Sequence, residues 1–143
     1  MSVIGAIFPI PSRLLDRIFK EGRNVFLKPP TIYRELREGS KILFYASGEL
    51  REIVGEGTAE RLELLRPDEA VRKYGGKLFL DPEEVSDYLR GKRRASKVLV
   101  IVLKDLRRYK KGYKPKRFVT VAGKKLTEAE YREIVRVAEG GIT

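Results

Sequence analysis

The sequence contains no cysteine and no histidine. These absences exclude disulfides, thiolate nucleophiles, Cys/His zinc sites and imidazole acid–base catalysis. Any reaction would fall to Lys, Asp, Glu, Ser, Thr or Tyr, and no EF-hand spacing or aspartate cluster marks a hard-metal site. No metal and no cofactor is expected. Glutamine is also absent, Asn24 is the only asparagine, and methionine occurs once. Few thermolabile side chains beside abundant Lys, Arg and Glu suggest a hyperthermophilic source. The longest apolar run, Val98 to Leu103, has six residues, whereas a membrane-spanning helix takes about 20. The start, MSVIGAIFPIPSR, lacks the basic opening of a signal peptide and is interrupted by Pro9 and Pro11. A cytoplasmic protein is expected.

Positive charge is what the chain has in excess, and it is unevenly placed. The net charge is +11, yet Arg90 to Arg117 holds 13 Lys or Arg against one acid, Asp105, while the rest has 18 basic and 19 acidic residues. Such a concentration favours phosphate backbones or anionic lipid surfaces. Lipid would call for an amphipathic helix with large exposed apolar residues, and Gly112 and Pro115 interrupt the tract instead. No membrane partner is expected. A thermophile's solvated ion-pair surface would alternate acids with bases, which this segment does not do. In RRYKKGYKPKRF, residues 107–118, three rings (Tyr109, Tyr113 and Phe118) lie among Arg107, Arg108, Lys111, Lys116 and Arg117. Rings stack on unpaired bases and cations hold phosphates, so the combination points to nucleic acid, RNA first.

The length fits one domain over residues 1–143. SVIGAIFPIP reads as a short strand ending at prolines, followed by a helix capped by Ser12, with Leu14, Leu15, Ile18 and Phe19 on one face. Pro29 and Pro30 forbid regular structure around Lys28 and Thr31. REGSKILFYAS reads as a turn into a strand, and ELREIVGEGTAERLELL as a long strand bent at Gly-Glu-Gly. RPDEAVRKYGG and LDPEEVSDYLRGK are short helices, the second with Asp81 as N-cap and Pro82 at its first position. KVLVIVLKDL, apolar throughout, is a central strand leading into a basic loop, and RFVTVAG is a further strand. Thr127 and Glu130 form a capping box for a last helix. This order gives an α+β fold with mostly antiparallel neighbours around a small bent barrel, with peripheral helices.

GSKILFYAS followed by GEL and REIVGEGTAERL resembles the central hairpin of PUA-like domains, which include the ASCH and EVE families. Ser40 stands where the usual pattern has an acid after its glycine. IGAIFPIP, FLKPPTIYRELREG and KPKRFVTVAG resemble a small uncharacterised archaeal family of the same superfamily. The resemblance covers nearly the whole chain and implies a PUA-like pseudobarrel that binds RNA or a modified nucleotide.

Within that frame, Lys28 and Thr31 are expected to line a cleft. Tyr45 and Ser47 should face it as well, because they alternate with Phe44, the better core candidate. Gly55 and Gly57 read as strand bends that would also allow a ligand close to the backbone. Arg107, Arg108, Tyr109, Lys111, Tyr113, Lys116, Arg117 and Phe118 would hold flanking nucleotides. The alternative is a small amidohydrolase. Some ASCH enzymes that remove an acyl group from a modified cytidine carry a similar Lys-x-x-Thr, which Lys28 and Thr31 reproduce, with Glu84 as the proton shuttle. Binding without catalysis is the leading expectation, and oligomeric state is left open.

Overall fold

The computed structural model describes residues 2–28, 35–88, 97–116, 119 and 123–139. Side chains alternate along β1 (Val3–Pro11) and β3 (Lys41–Ser47). Ala6, Phe8 and Ile10 join Ile42, Phe44 and Ala46 in one buried layer, while Ile7 joins Leu43 and Tyr45 in another. A period of two with both sets buried means that both faces of the sheet are covered. The first layer is covered by α1 (Leu15–Phe19), α2 (Pro67–Tyr74) and α3 (Pro82–Tyr88), through Leu15, Ile18, Ala70 and Val85. The second is closed by α4 (Glu128–Ala138), through Ile134 and Ala138.

The remaining strands are β2 (Val25–Lys28), β4 (Glu52–Leu65), β5 (Val98–Tyr113) and β6 (Lys124–Thr127). The sheet order is β2-β5-β4-β3-β1-β6. All ladders are antiparallel except β1–β3. The α+β class therefore stands, but the antiparallel barrel is corrected to a mixed sheet. Among the described residues no ladder joins its ends, β2 and β6. The parallel pair follows from connectivity. After β1 the chain passes through α1 and β2 before it returns as β3, a crossover that a hairpin cannot replace.

Local chemistry sets most boundaries. Glu130 N donates to Thr127 Oγ1 (3.2 Å), and Thr127 N to Glu130 Oε1 (3.0 Å), the expected capping box. Asp81 N donates to Glu84 Oε1 (2.8 Å) ahead of Pro82, so α3 starts where expected. Ser12 behaves differently from expectation. It opens a short 3₁₀ turn, and its hydroxyl donates to Ser47 O (2.9 Å) while Ser47 Oγ donates to Ile10 O (3.2 Å). These two bonds tie the ends of β1 and β3 together. β1 also runs through Pro9 to Pro11, beyond the last β6 pairing at Ile7↔Lys124. Prolines without an N–H are tolerated where a strand has lost one neighbour.

The Gly-Glu-Gly segment is a bend, as expected. The β4–β5 register shifts between Ile53 and Gly55 and again between Glu56 and Thr58. Its glycines make room for protein rather than for a ligand. A Cβ on Gly55 would lie 2.5 Å from the Phe19 ring, and one on Gly57 would lie 3.0 Å from Leu106. Among the described residues no helix is long and apolar enough to cross a membrane.

Gly5 marks the tightest approach of the parallel pair, since a Cβ there would fall 1.8 Å from the Lys41 carbonyl oxygen. Gly5→Ala should cost about 3 kcal/mol in urea unfolding, near the upper end of ordinary overpacking costs. Gly76→Ala, whose added Cβ meets nothing within 4 Å, should stay within about 0.5 kcal/mol. Equal midpoints for the two variants would contradict the close β1–β3 contact.

Candidate nucleic-acid interface

β5 is longer than its partner on one side. β2 accompanies it only from Leu99 to Val102, while β4 pairs with it as far as Tyr113. From Lys104 onward β5 is an overhang with a free edge among the described residues. The basic tract expected as a loop is thus largely strand. The reason is β4, whose 14 residues offer a ladder long enough to carry the tract along.

The overhang sorts its residues by face. Arg108 lies toward α1, its guanidinium 6.0 Å from the Phe19 ring centroid and 3.6 Å from Asp16. Arg107 and Tyr109 lie toward α4. Lys110, Lys111, Lys114 and Lys116 are exposed and pair with no acid among the described residues. Tyr113 is half-buried and packs at the margin of the second core layer.

Between the end of β5 and the first turns of α4 lies a cavity of about 560 Å³. Ile7, Ile53, Val119 and Ile134 supply its apolar lining, and Tyr113 and Lys116 come from the tract.

Under α4 sits a group that the sequence reading passed over. Glu56 is 4% exposed. Its carboxylate accepts from Tyr109 OH (2.8 Å), Arg107 Nη2 (3.2 Å) and Lys41 Nζ (3.4 Å), and Tyr131 OH lies 2.9 and 3.0 Å from its two oxygens. Arg107 also pairs with Glu139 at 2.7 Å. Burial is the largest single influence and pushes the Glu56 carboxyl up. The hydrogen bonds from Tyr109, Tyr131 and Arg107, with the Lys41 charge, together outweigh it and hold the group below its ordinary value. Burial first, then the Glu56 charge, pushes the Tyr109 phenol well above its usual range. Burial followed by the bond to Glu56 takes Tyr131 to about 12. Glu56 is thus an ionised, saturated anchor. The available signal was an acid between two glycines in the buried half of β4, where Ile53, Val54 and Ala59 are its apolar neighbours.

The expected site residues scatter accordingly. Tyr45 is corrected from cleft to core: it is 3% exposed, in the layer α4 closes. Tyr109 is 6% exposed and spent on Glu56, so its ring is not offered to a base. Ser47 is engaged with Ile10. Lys28 is 1% exposed, its ammonium 5.4 Å from the Phe8 ring centroid. Glu84 binds Arg17 and Arg13 and caps α3; the Arg17 bond first, then the Asp81 amide, holds its carboxyl down to about 2. Thr31, Arg117 and Phe118 lie outside the described residues, as does most of RFVTVAG, the segment expected as a strand; its described residues, Val119 and Gly123, are not in a strand, and β6 begins after it at Lys124. The structure brings together Tyr113, Lys116 and the neighbouring lysines. Lys28, on the Phe8 layer, belongs to the opposite face of the sheet from the cavity.

Comparison with known proteins places the fold. A family model described as "Domain of unknown function (DUF365)" matches residues 3–128. The chain belongs to the DUF365 family. An uncharacterized protein of the archaeon Methanocaldococcus jannaschii is 39% identical over 105 residues, covering 67% of this chain and 97% of that one. Among solved structures, ASCH from Zymomonas mobilis superposes with a TM-score of 0.77 at 16% identity, over 94% of this chain and 95% of that one. The N-terminal domain of Staphylothermus marinus McrB gives 0.57 at 16% identity, over 94% and 96%. This DUF365 protein therefore has an archaeal relative and an ASCH-like fold.

In this DUF365 chain Glu56 should control acid stability. A carboxyl held below its ordinary 4.5 stabilises the fold above that pH and loses the contribution as pH falls through its folded value. Glu56→Gln should cost about 1–2 kcal/mol at neutral pH, because the buried acceptor loses its charge-assisted hydrogen bonds while Arg107 and Lys41 stay partly hydrated. It should also flatten the fall in stability below pH 4.5, leaving the parts due to Glu63, Glu130 and Glu84, the last held down to about 2. Thermal melts across pH would show this, and identical pH profiles for variant and wild type would rule it out.

Proposed function

We propose that this protein binds nucleic acid, single-stranded RNA first, along the β5 overhang. One observation carries the reading: Lys110, Lys111, Lys114 and Lys116 stand exposed and unpaired among the described residues, beside the half-buried ring of Tyr113. β5 holds Lys110 and Lys111 in order and Lys114 and Lys116 follow just beyond its end, so a phosphate backbone meets charge that is in part prearranged. A duplex would engage the charges but would leave the ring without an unpaired base. The ASCH-like fold fits the resemblance to PUA-like proteins, whose implication is the same class of ligand.

The structure revises which charges to test. Arg107 is committed to Glu56 and Glu139, so reversing it would unfold rather than report. The variant Lys110→Glu, Lys111→Glu, Lys114→Glu, Lys116→Glu should lose RNA retention with a melting temperature near wild type. Wild type should show a log–log salt slope of about −3 on a single strand, as four phosphate contacts imply. Undiminished binding by the folded quadruple variant would remove the interface.

A second reading, hydrolysis of an acyl group from a modified nucleoside, is favoured by one observation. Lys28, the lysine of the Lys-x-x-Thr spacing, is 1% exposed and lies inside the fold rather than on its surface. Against it, Glu84 is tied to Arg17 and Arg13 and poorly placed to shuttle a proton. Wild type is expected to leave acylated cytidine intact. Release of the acyl group, lost in Thr31→Ala, would promote this reading.

A further inference from the structure

We propose that the cavity between the end of β5 and α4 takes one unpaired base of the strand whose phosphates lie on the lysine tract. The proposal rests on the nucleic-acid reading above and moves the base site to the α4 face, away from Lys28. The volume of about 560 Å³ falls within the 300–1,000 Å³ typical of small-ligand sites. Its lining has the composition that a heterocycle needs. Ile7, Ile53, Val119 and Ile134 offer apolar surface, and Tyr113 contributes a ring.

Charge around the cavity favours a phosphate at one end only. Glu133 is held by Arg136 through contacts of 2.9, 3.0 and 3.2 Å, and Glu130 is paired with Lys124. Those two acids are neutralised locally. Lys116 pairs with no acid among the described residues. The cavity therefore has an uncompensated cation where it joins the tract, and polar but neutralised groups along α4. A strand entering past Lys114 and Lys116 would meet the Tyr113 ring next, because both lysines are its near neighbours in the chain.

The α4 wall is also fixed before any ligand arrives. Tyr131 bonds Glu56, Glu139 bonds Arg107, and the Thr127–Glu130 box sets the first turn. A wall held at three points along 13 residues costs little further ordering on binding. Two further cavities among the described residues lack this combination. One, of about 270 Å³, runs between Pro9, Phe26 and Glu84, and its acid is bound to arginines. The other is an open depression at Gly48–Arg51 and Lys114 that contains no ring.

The test uses hexauridylate and inorganic polyphosphate as probes, followed by fluorescence anisotropy or competition. Ala129→Trp places a large side chain at the cavity from an exposed position on α4, and should weaken hexauridylate at least tenfold. Polyphosphate, which has charge but no base, should bind wild type and Ala129→Trp equally. Tyr113→Leu keeps apolar bulk but removes the ring, and should give the same pattern; it serves if the tryptophan perturbs α4. Unchanged hexauridylate affinity in both variants overturns the base site while leaving the lysine tract intact. Equal losses on both probes also overturn it, because the effect would then be on charge or fold. If wild type itself fails to bind hexauridylate, the nucleic-acid reading fails first, before any variant is made.

Discussion

A buried carboxylate needs donors, and Glu56 has them from three separate elements. Lys41 comes from β3, Arg107 and Tyr109 from β5, and Tyr131 from α4. Removing a carboxylate from water costs several kcal/mol even after relaxation, so the arrangement persists only while all its partners are in place. That requirement turns one acid into a four-way joint. It fixes α4 against the sheet, which closes the second core layer and buries Tyr45. It also fixes where β5 runs as it leaves the sheet, since Arg107 and Tyr109 sit at the root of the overhang. Without the joint there is no wall for the cavity and no rigid display of lysines.

The same joint divides the basic tract into two kinds of charge. Arg107 and Arg108 are held by acids and rings of the fold, Glu56 and Glu139 for the first, Asp16 and Phe19 for the second. Arginine suits this work because its planar group bonds and stacks at once. The lysines beyond them have no such partners among the described residues. In sequence the two kinds form one uninterrupted run. In space they are a root and a free end, and only the free end is available to a polyanion.

Much of the fold was legible because it is written locally. Thr127 with Glu130, Asp81 with Pro82, and the alternation of GSKILFYAS each carry their structure in a few neighbouring residues. What was not legible depends on partners far apart in the chain. Burial of Tyr45 requires α4, more than 80 residues later in the sequence. The parallel β1–β3 pair is set by the intervening crossover rather than by either strand's composition. RRYKKGYKPKRF reads as a loop until β4 is known to be long enough to pair with it. Tyr109 looked like a stacking ring because its partner, Glu56, lies 53 residues upstream.

An exposed overhang raises a further physical question, because unpaired strand edges invite pairing with another chain. Lysines on an edge are a common defence, and they alone would explain some positive charge on β5. Defence, however, asks only that the edge be charged and hydrated. It does not ask for a tyrosine ring at the end of the overhang, nor for a cavity with apolar lining continuing from the last lysines. Those features lie on the α4 face, away from the edge's backbone groups, and contribute nothing to blocking edge pairing. The two roles are compatible, since charge that repels another copy of the chain attracts a phosphate backbone. The ring and cavity are what incline the reading toward a ligand with both phosphates and bases.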